Sequence, residues 1–194
     1  LLQQTGLGLA APSANKYTQL SPTTVQHVED GLGQHIPVLD GGACQVGIES
    51  TIVSVVGEQW QLLRLGMILE AEIELIAGVA TISEEKTLPK APGQHLLHYS
   101  PKTPMQLFSS REALIQAATT ETNCAALLIG DGKIDNGLTF NLPNNPAEMA
   151  EKLYDTLHQM DALTVTKLLI ETPENSPEWS AIHDRLSRAS YKVH

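Results

Sequence analysis

Four prolines, Pro89, Pro92, Pro101 and Pro104, fall within residues 87–104 and deny that stretch a regular hydrogen-bonding pattern. A segment this long without elements of its own is a linker or a functional lid. The 194-residue chain therefore divides into two small units, 1–78 and 105–194, joined by a linker over 79–104. Hydrophobic residues make up 42% of the chain and charged residues 18%, so each unit can build a core and disorder from low hydrophobicity is excluded.

After the prolines the pattern alternates between two periods. MQLF at 105–108, AALLI at 125–129 and a run at about 167–171 read as strands. A helix opened by Ser109 with Glu112 as its capping-box partner follows the first. A second opens at Asn145 and Pro146 with Met149, Leu153, Leu157 and Met160 on one face, and a third starts at Ser176 and Pro177 with Trp179, Ile182, Leu186 and Ala189 on one face. Such alternation predicts a small three-layer α/β (Rossmann-like) domain with a mainly parallel sheet. Before the prolines, Ser21 as N-cap and Pro22 at N1 predict a helix over about 22–31. Strands are expected at Ile36 to Leu39, Thr51 to Val56 and Trp60 to Leu65, with a turn at Gly57, Glu58 and Gln59 and a short helix from Glu70 to Ala77 closed by Gly78.

Twenty-two acids against 12 bases give a net charge of −10, and such a field repels a phosphate backbone over most of the surface. Residues 1–76 hold eight of the acids and only two bases, Lys16 and Arg64. An anion site there leans on backbone N–H groups, hydroxyls, a metal ion or bases outside this chain. No apolar run is long enough to span a membrane and no basic region precedes one at the N-terminus, so a soluble, cytoplasmic protein without a membrane partner is expected. Cys44 and Cys124 stand 80 residues apart, and neither they nor His95 and His98 form a recognised metal-ligand pattern.

Several loops have the chemistry of sites. Gly6, Gly8 and Ala11 match G-x-G-x-x-A, but Pro12 follows at once and no helix opens, which removes the mechanism of a dinucleotide fold. Pro12-Ser13-Ala14-Asn15 offers short hydroxyl and amide groups on a tight loop, and Ser21 stands eight residues after Ser13 where a helix begins. Ser21 equally reads as the cap of its own helix, and Asn15 as a turn former. Asp40-Gly41-Gly42-Ala43-Cys44-Gln45-Val46-Gly47-Ile48-Glu49-Ser50-Thr51 sets a glycine-rich loop directly before a strand, with Ser50 and Thr51 at its mouth. Arg64 is either a phosphate clamp or a surface ion pair.

Taken in order, Ala11-Pro12-Ser13-Ala14-Asn15, Ser21-Pro22-Thr23, the Asp40 to Val53 block, Leu62 to Ile68, and Ala91 to Pro101 resemble the L-threonylcarbamoyladenylate synthase family in its two-domain form. The resemblance implies an incomplete YrdC-like twisted mixed sheet with helices, then the linker and the small α/β domain. It implies a nucleotidyltransferase that makes threonylcarbamoyl-AMP and pyrophosphate from L-threonine, bicarbonate and ATP with magnesium. A later complex would carry the group to adenosine 37 of tRNA. By matching motifs, Ser13, Asn15, Ser21, Arg64 and Tyr99 would contact nucleotide, and Ala11 and Ser50 would hold threonine. No residue is expected as a covalent catalyst or a metal ligand.

Three positions depart from that family's pattern: Leu65 stands in its usual Arg-Pro-Gly, Gln94-His95-Leu96 in its Met-Lys-Tyr, and Ser54 where Asp is usual. Nothing here matches the family's N-terminal half, which brings the bases for the triphosphate. The chain is therefore expected to be a C-terminal piece, inactive alone, whose first unit packs loosely or leans on another copy in a homo-oligomer, while residues 104–194 fold by themselves. The rival expectation is a non-catalytic nucleotide- or RNA-binding module, for which Arg185, Arg188 and Lys192 on the last helix would supply positive charge.

Overall fold

Period-two alternation in the second unit separates two apolar cores on the faces of one sheet. The computed structural model describes residues 1–80 and 98–190. Strands β3 (Met105–Phe108), β4 (Cys124–Ile129), β5 (Leu138–Leu142) and β6 (Lys167–Glu171) form a wholly parallel sheet in the order β3-β6-β4-β5. Ala125, Leu127, Leu168 and Ile170 pack under helices α5 (Pro146–Asp161) and α6 (Ser180–Ser190). Cys124, Ala126, Leu128 and Leu169 face the other way, onto Leu114 and Ala118 of α4 (Arg111–Thr120). The expected three layers are present, since helices must cover both faces of a parallel sheet.

Local signals place most boundaries. The Asn145 side chain accepts from the Glu148 N–H at 3.1 Å, and Pro146 takes the first turn of α5. The α4 cap is Ser110 rather than Ser109, its Oγ accepting from the Ala113 N–H at 3.3 Å. Ser176 and Pro177 open a 3-10 turn, Pro177–Trp179, and α6 continues from it. Strand β5 has no counterpart in the sequence reading. It joins β4 through residues 130–137 without a helix, because Ile134, 1% exposed, fills the place a crossover helix would take on the α4 face.

The first unit is thinner. Within the described residues it holds α1 (Leu2–Thr5), α2 (Val25–Leu32), an antiparallel hairpin of β1 (Ile52–Val56) and β2 (Gln59–Arg64), and α3 (Glu70–Ala77). Ile36 to Leu39 is not a strand: Pro37 has no N–H to give a ladder, and no strand among the described residues pairs with it. Helix α2 starts later than expected, because Thr24 is the residue whose side chain accepts from the His27 N–H, at 3.3 Å.

Two strands alone are marginal in water. The first unit leans on the second unit of its own chain, with Leu20, Ile48 and Tyr99 joining Met149, Leu153, Tyr154 and Leu186 in one core. The end of the linker is hydrogen-bonded to both units: the Ser100 N–H donates to Thr18 O at 2.8 Å in the first, and the Lys102 and Thr103 N–H groups donate to Asp161 at 3.0 and 2.8 Å in the second. Most of the proline-rich linker, His95 included, lies outside the described residues. No described helix is long and apolar enough to cross a membrane.

Candidate functional site

Because Thr24 caps α2, the Ser21 hydroxyl is released for another partner. It is 7% exposed, and its Oγ donates to Glu49 Oε1 at 2.5 Å. Ser21 and Glu49 stand with Ser13, Cys44 and Val46 on the wall of a cavity of about 460 Å³, formed where the Pro12 loop meets the glycine-rich loop. The Cys44 N–H donates to Thr23 O at 2.9 Å, which ties that loop to the start of α2. Gly47 has φ +80 and lies so close to α5 that a Cβ there would stand 2.2 Å from Ala150 O. Only glycine gives both that backbone and that approach.

The Ser21 hydrogen bond fixes what its oxygen can do. With its one proton committed to Glu49, Oγ presents lone pairs to the cavity. It suits an N–H or O–H donor of a ligand, or a cation, and not a phosphate oxygen.

Glu49 is held from the second unit. Arg185 on α6 is 1% exposed and donates from Nε to Glu49 Oε2 at 2.7 Å, from Nη2 to Glu49 O at 3.2 Å and Leu65 O at 3.0 Å, and from Nη1 to Asp184 at 2.8 Å. The Tyr154 hydroxyl donates to Glu49 Oε2 at 3.1 Å. Burial, then the Glu49 charge, pushes the Tyr154 phenol well above its ordinary value, which keeps it a donor. A charge so placed is tolerable only because each carboxylate oxygen is paired.

The other expected site residues separate. Arg64 and Ser50 come together: Nε donates to Ser50 O at 3.0 Å and Nη2 to Ser50 Oγ at 3.2 Å. Gly66 makes this packing possible, since a Cβ there would meet the Thr51 N at 2.2 Å. Ala11 is exposed on the loop before Ser13. Asn15 lines a different, smaller cavity of about 80 Å³ beside His27, Lys102 and His158. Its Nδ2 donates to Gln19 O at 2.9 Å, so its amide shapes the turn, and its Oδ1 is buried without a hydrogen-bond partner among the described residues.

Tyr99 is 2% exposed, at φ +59, with the Arg185 guanidinium 5.1 Å over its ring and Tyr154 at 5.8 Å. Burial and the Glu49 charge raise its phenol pKa, against the lowering effect of Arg185 and Arg64. Contact with a nucleotide would require this ring to leave its packing between the units.

Sequence reasoning missed Glu49, Arg185 and Tyr154 as a group. The available signal was Arg185 itself, three residues after Ile182 and one before Leu186, a charge on the apolar face of the last helix. The same burial corrects the basic surface expected there. Arg185 is buried in ion pairs with Glu49 and Asp184, and Arg188 pairs with Asp184 at 2.9 Å. Among the described residues no group of three or more His, Cys, Asp or Glu could hold a metal ion.

Two family models divide the chain between them: one described as "Telomere recombination" over residues 1–66, and one described as "Threonylcarbamoyl-AMP synthase, C-terminal domain" over residues 66–190. The threonylcarbamoyl-AMP synthase of Pyrococcus abyssi is 31% identical over 199 residues, covering 95% of this chain and 58% of the relative. That of Bacillus subtilis is 30% identical over 209 residues, covering 98% and 59%. Among solved structures, P. abyssi Sua5 complexed with L-threonine matches with a TM-score of 0.81 and 29% identity over 100% of this chain and 62% of that one. The chain thus spans little more than half the length of the curated relatives it matches. With a model covering residues 66–190 and a fold that follows Sua5 from end to end, the chain belongs to the threonylcarbamoyl-AMP synthase family.

Proposed function

We propose that the chain takes part in forming threonylcarbamoyl-AMP and pyrophosphate from L-threonine, bicarbonate and ATP. The observation that carries this reading is the agreement in fold, over the whole chain, with a protein solved with L-threonine bound. The cavity at Ser13 and Ser21 and the Ser50–Arg64 pair lie in the first unit, on the loops that the family resemblance singles out.

The chemistry asks for alignment more than for a protein nucleophile. The threonine amine and bicarbonate give a carbamate with loss of water. A carbamate oxygen then attacks the α-phosphorus, a new P–O bond forms, the bond to the β-phosphate oxygen breaks, and pyrophosphate leaves. What the protein supplies is position and charge neutralisation. In this reading Ser13 and Ser21 contact the nucleotide, with Ser21 accepting a hydrogen bond from it. Ala11 and Ser50 hold threonine, and Arg64 turns from Ser50 towards the phosphates. Asn15 keeps the Pro12 loop in shape, and Tyr99 would bear on the nucleotide from the linker side only after leaving its packing between the units. Magnesium would accompany ATP and neutralise phosphate charge. Transfer to adenosine 37 of tRNA would follow in a separate complex.

Pyrophosphate release from ATP, measured on the full-length gene product that carries these residues, tests this. Release is expected to need both L-threonine and bicarbonate and to fall about 100-fold or more in Arg64→Ala, the usual scale for losing one charge-stabilising donor. Release that ignores threonine, or its absence, would leave only the fold in common with the family. The RNA-binding alternative is weakened by the burial of Arg185 and the pairing of Arg188 with Asp184, while Lys192 lies outside the described residues.

A further inference from the structure

We propose that Arg185 is a positioning residue: from helix α6 it grips Glu49 and so fixes the Ser21 hydroxyl at the cavity wall and the backbone that leads from it into Ser50. The inference rests on the reading of that cavity as a substrate site, and it assigns the second unit a task in that site.

The geometry is that of a clamp on both open ends of the hairpin. Glu49 lies shortly before β1 and Leu65 directly after β2, and one Nη2 group donates to the backbone carbonyls of both, at 3.2 and 3.0 Å. The Nε of the same guanidinium takes Glu49 Oε2 at 2.7 Å. Only a planar fork reaches a carboxylate and two carbonyls at once; a lysine ammonium is a point donor on a flexible stem. Glu49 spends its other oxygen on Ser21 Oγ at 2.5 Å, so the orientation of that hydroxyl follows from where Arg185 holds the carboxylate. The next residue, Ser50, is the one Arg64 grips at 3.0 and 3.2 Å.

Arg185 and Glu49 are 136 residues apart, and their pair crosses from the second unit to the first. The side chain is 1% exposed and is not itself among the residues lining the cavity, so it acts through Glu49, which is. Tyr154, which donates to the same Oε2 at 3.1 Å, and Tyr99, under the guanidinium at 5.1 Å, fix the clamp from two sides.

Amide hydrogen exchange and ATP binding by calorimetry, on the full-length protein carrying these residues, test the proposal with Arg185→Lys, Glu49→Gln and the double variant. In either single variant the amides of residues 44–51 are expected to exchange at least about 10-fold faster, and ATP to bind at least about 10-fold more weakly, while β4 keeps its protection. The double variant should be no worse than the poorer single one, because both act on one link. Unchanged exchange at residues 44–51, equal loosening of β4, or additive losses would each overturn it. If the parent protein binds no ATP, the functional reading fails by itself, and the exchange pattern still decides whether Arg185 positions the loop.

Discussion

Gly47 shows how much of the site depends on one absent methyl group. Its φ of +80 is a region that favours glycine, and its neighbours Ala150 O and Glu151 O would stand 2.2 and 2.5 Å from a Cβ. Gly47→Ala is therefore expected to cost about 1–3 kcal/mol from backbone strain alone, with the clash against α5 added. Gly41→Ala, in the same loop with nothing within 4 Å of its Cβ position, is expected to stay within about 0.5 kcal/mol. Urea midpoints at unchanged slope measure both. The sequence marked this loop as glycine-rich but could not say which glycine mattered, since the contact comes from a helix over 100 residues away. Ser21 is similar: the residue reads as a cap or a site, and only the position of Thr24 removes the capping role.

At the scale of elements, those with local signals were legible. Helix α5 declared itself through Asn145, Pro146 and its apolar face, and Asn145→Ala is expected to remove about 1 kcal/mol of stability. Strand β5 was not legible, because its crossover has no helical period to read, only a turn-like stretch around one buried isoleucine. Ile134→Ala should cost about 2–5 kcal/mol, as for other fully buried aliphatic residues, and thermal unfolding at matched pH measures it. A loss under 1 kcal/mol would mean that the crossover collapses onto Leu128 and Cys124 without strain. The first unit was read well at its hairpin and poorly at Ile36 to Leu39, where β-favouring residues had no partner strand.

For the whole molecule, the prolines suggest where to divide the chain, but the surface that joins residues before and after them was not legible, since its members come from stretches far apart in sequence. That surface contains a titratable pair, His27 of α2 stacked on His158 of α5 with ring centroids 3.9 Å apart and 18° between planes. The Thr23 N–H donates to His27 Nδ1 at 3.2 Å, so a second proton there would displace a hydrogen bond, while His158 Nε2 is 3.1 Å from Ser21 O, placing its proton on that nitrogen. Burial, first, and for His27 the adjacent His158 lower both pKa values from 6.5; Asp155 and Asp30 near both rings, and Asp161 near His158, pull the other way, and Lys102 faces the same small cavity. Between 6.5 and the lowered values the unfolded chain binds more protons than the folded one, so stability rises with pH in that window. The contribution is complete above 6.5 and lost as pH falls through the folded values. From pH 7.5 to about 5.5 the thermal midpoint should therefore drop further in the parent chain than in the His27→Gln/His158→Gln variant, each kcal/mol being worth roughly 2–4 °C in a chain of this size. Equal drops would place the acid sensitivity in the carboxylates instead and leave the stacked pair a packing contact only.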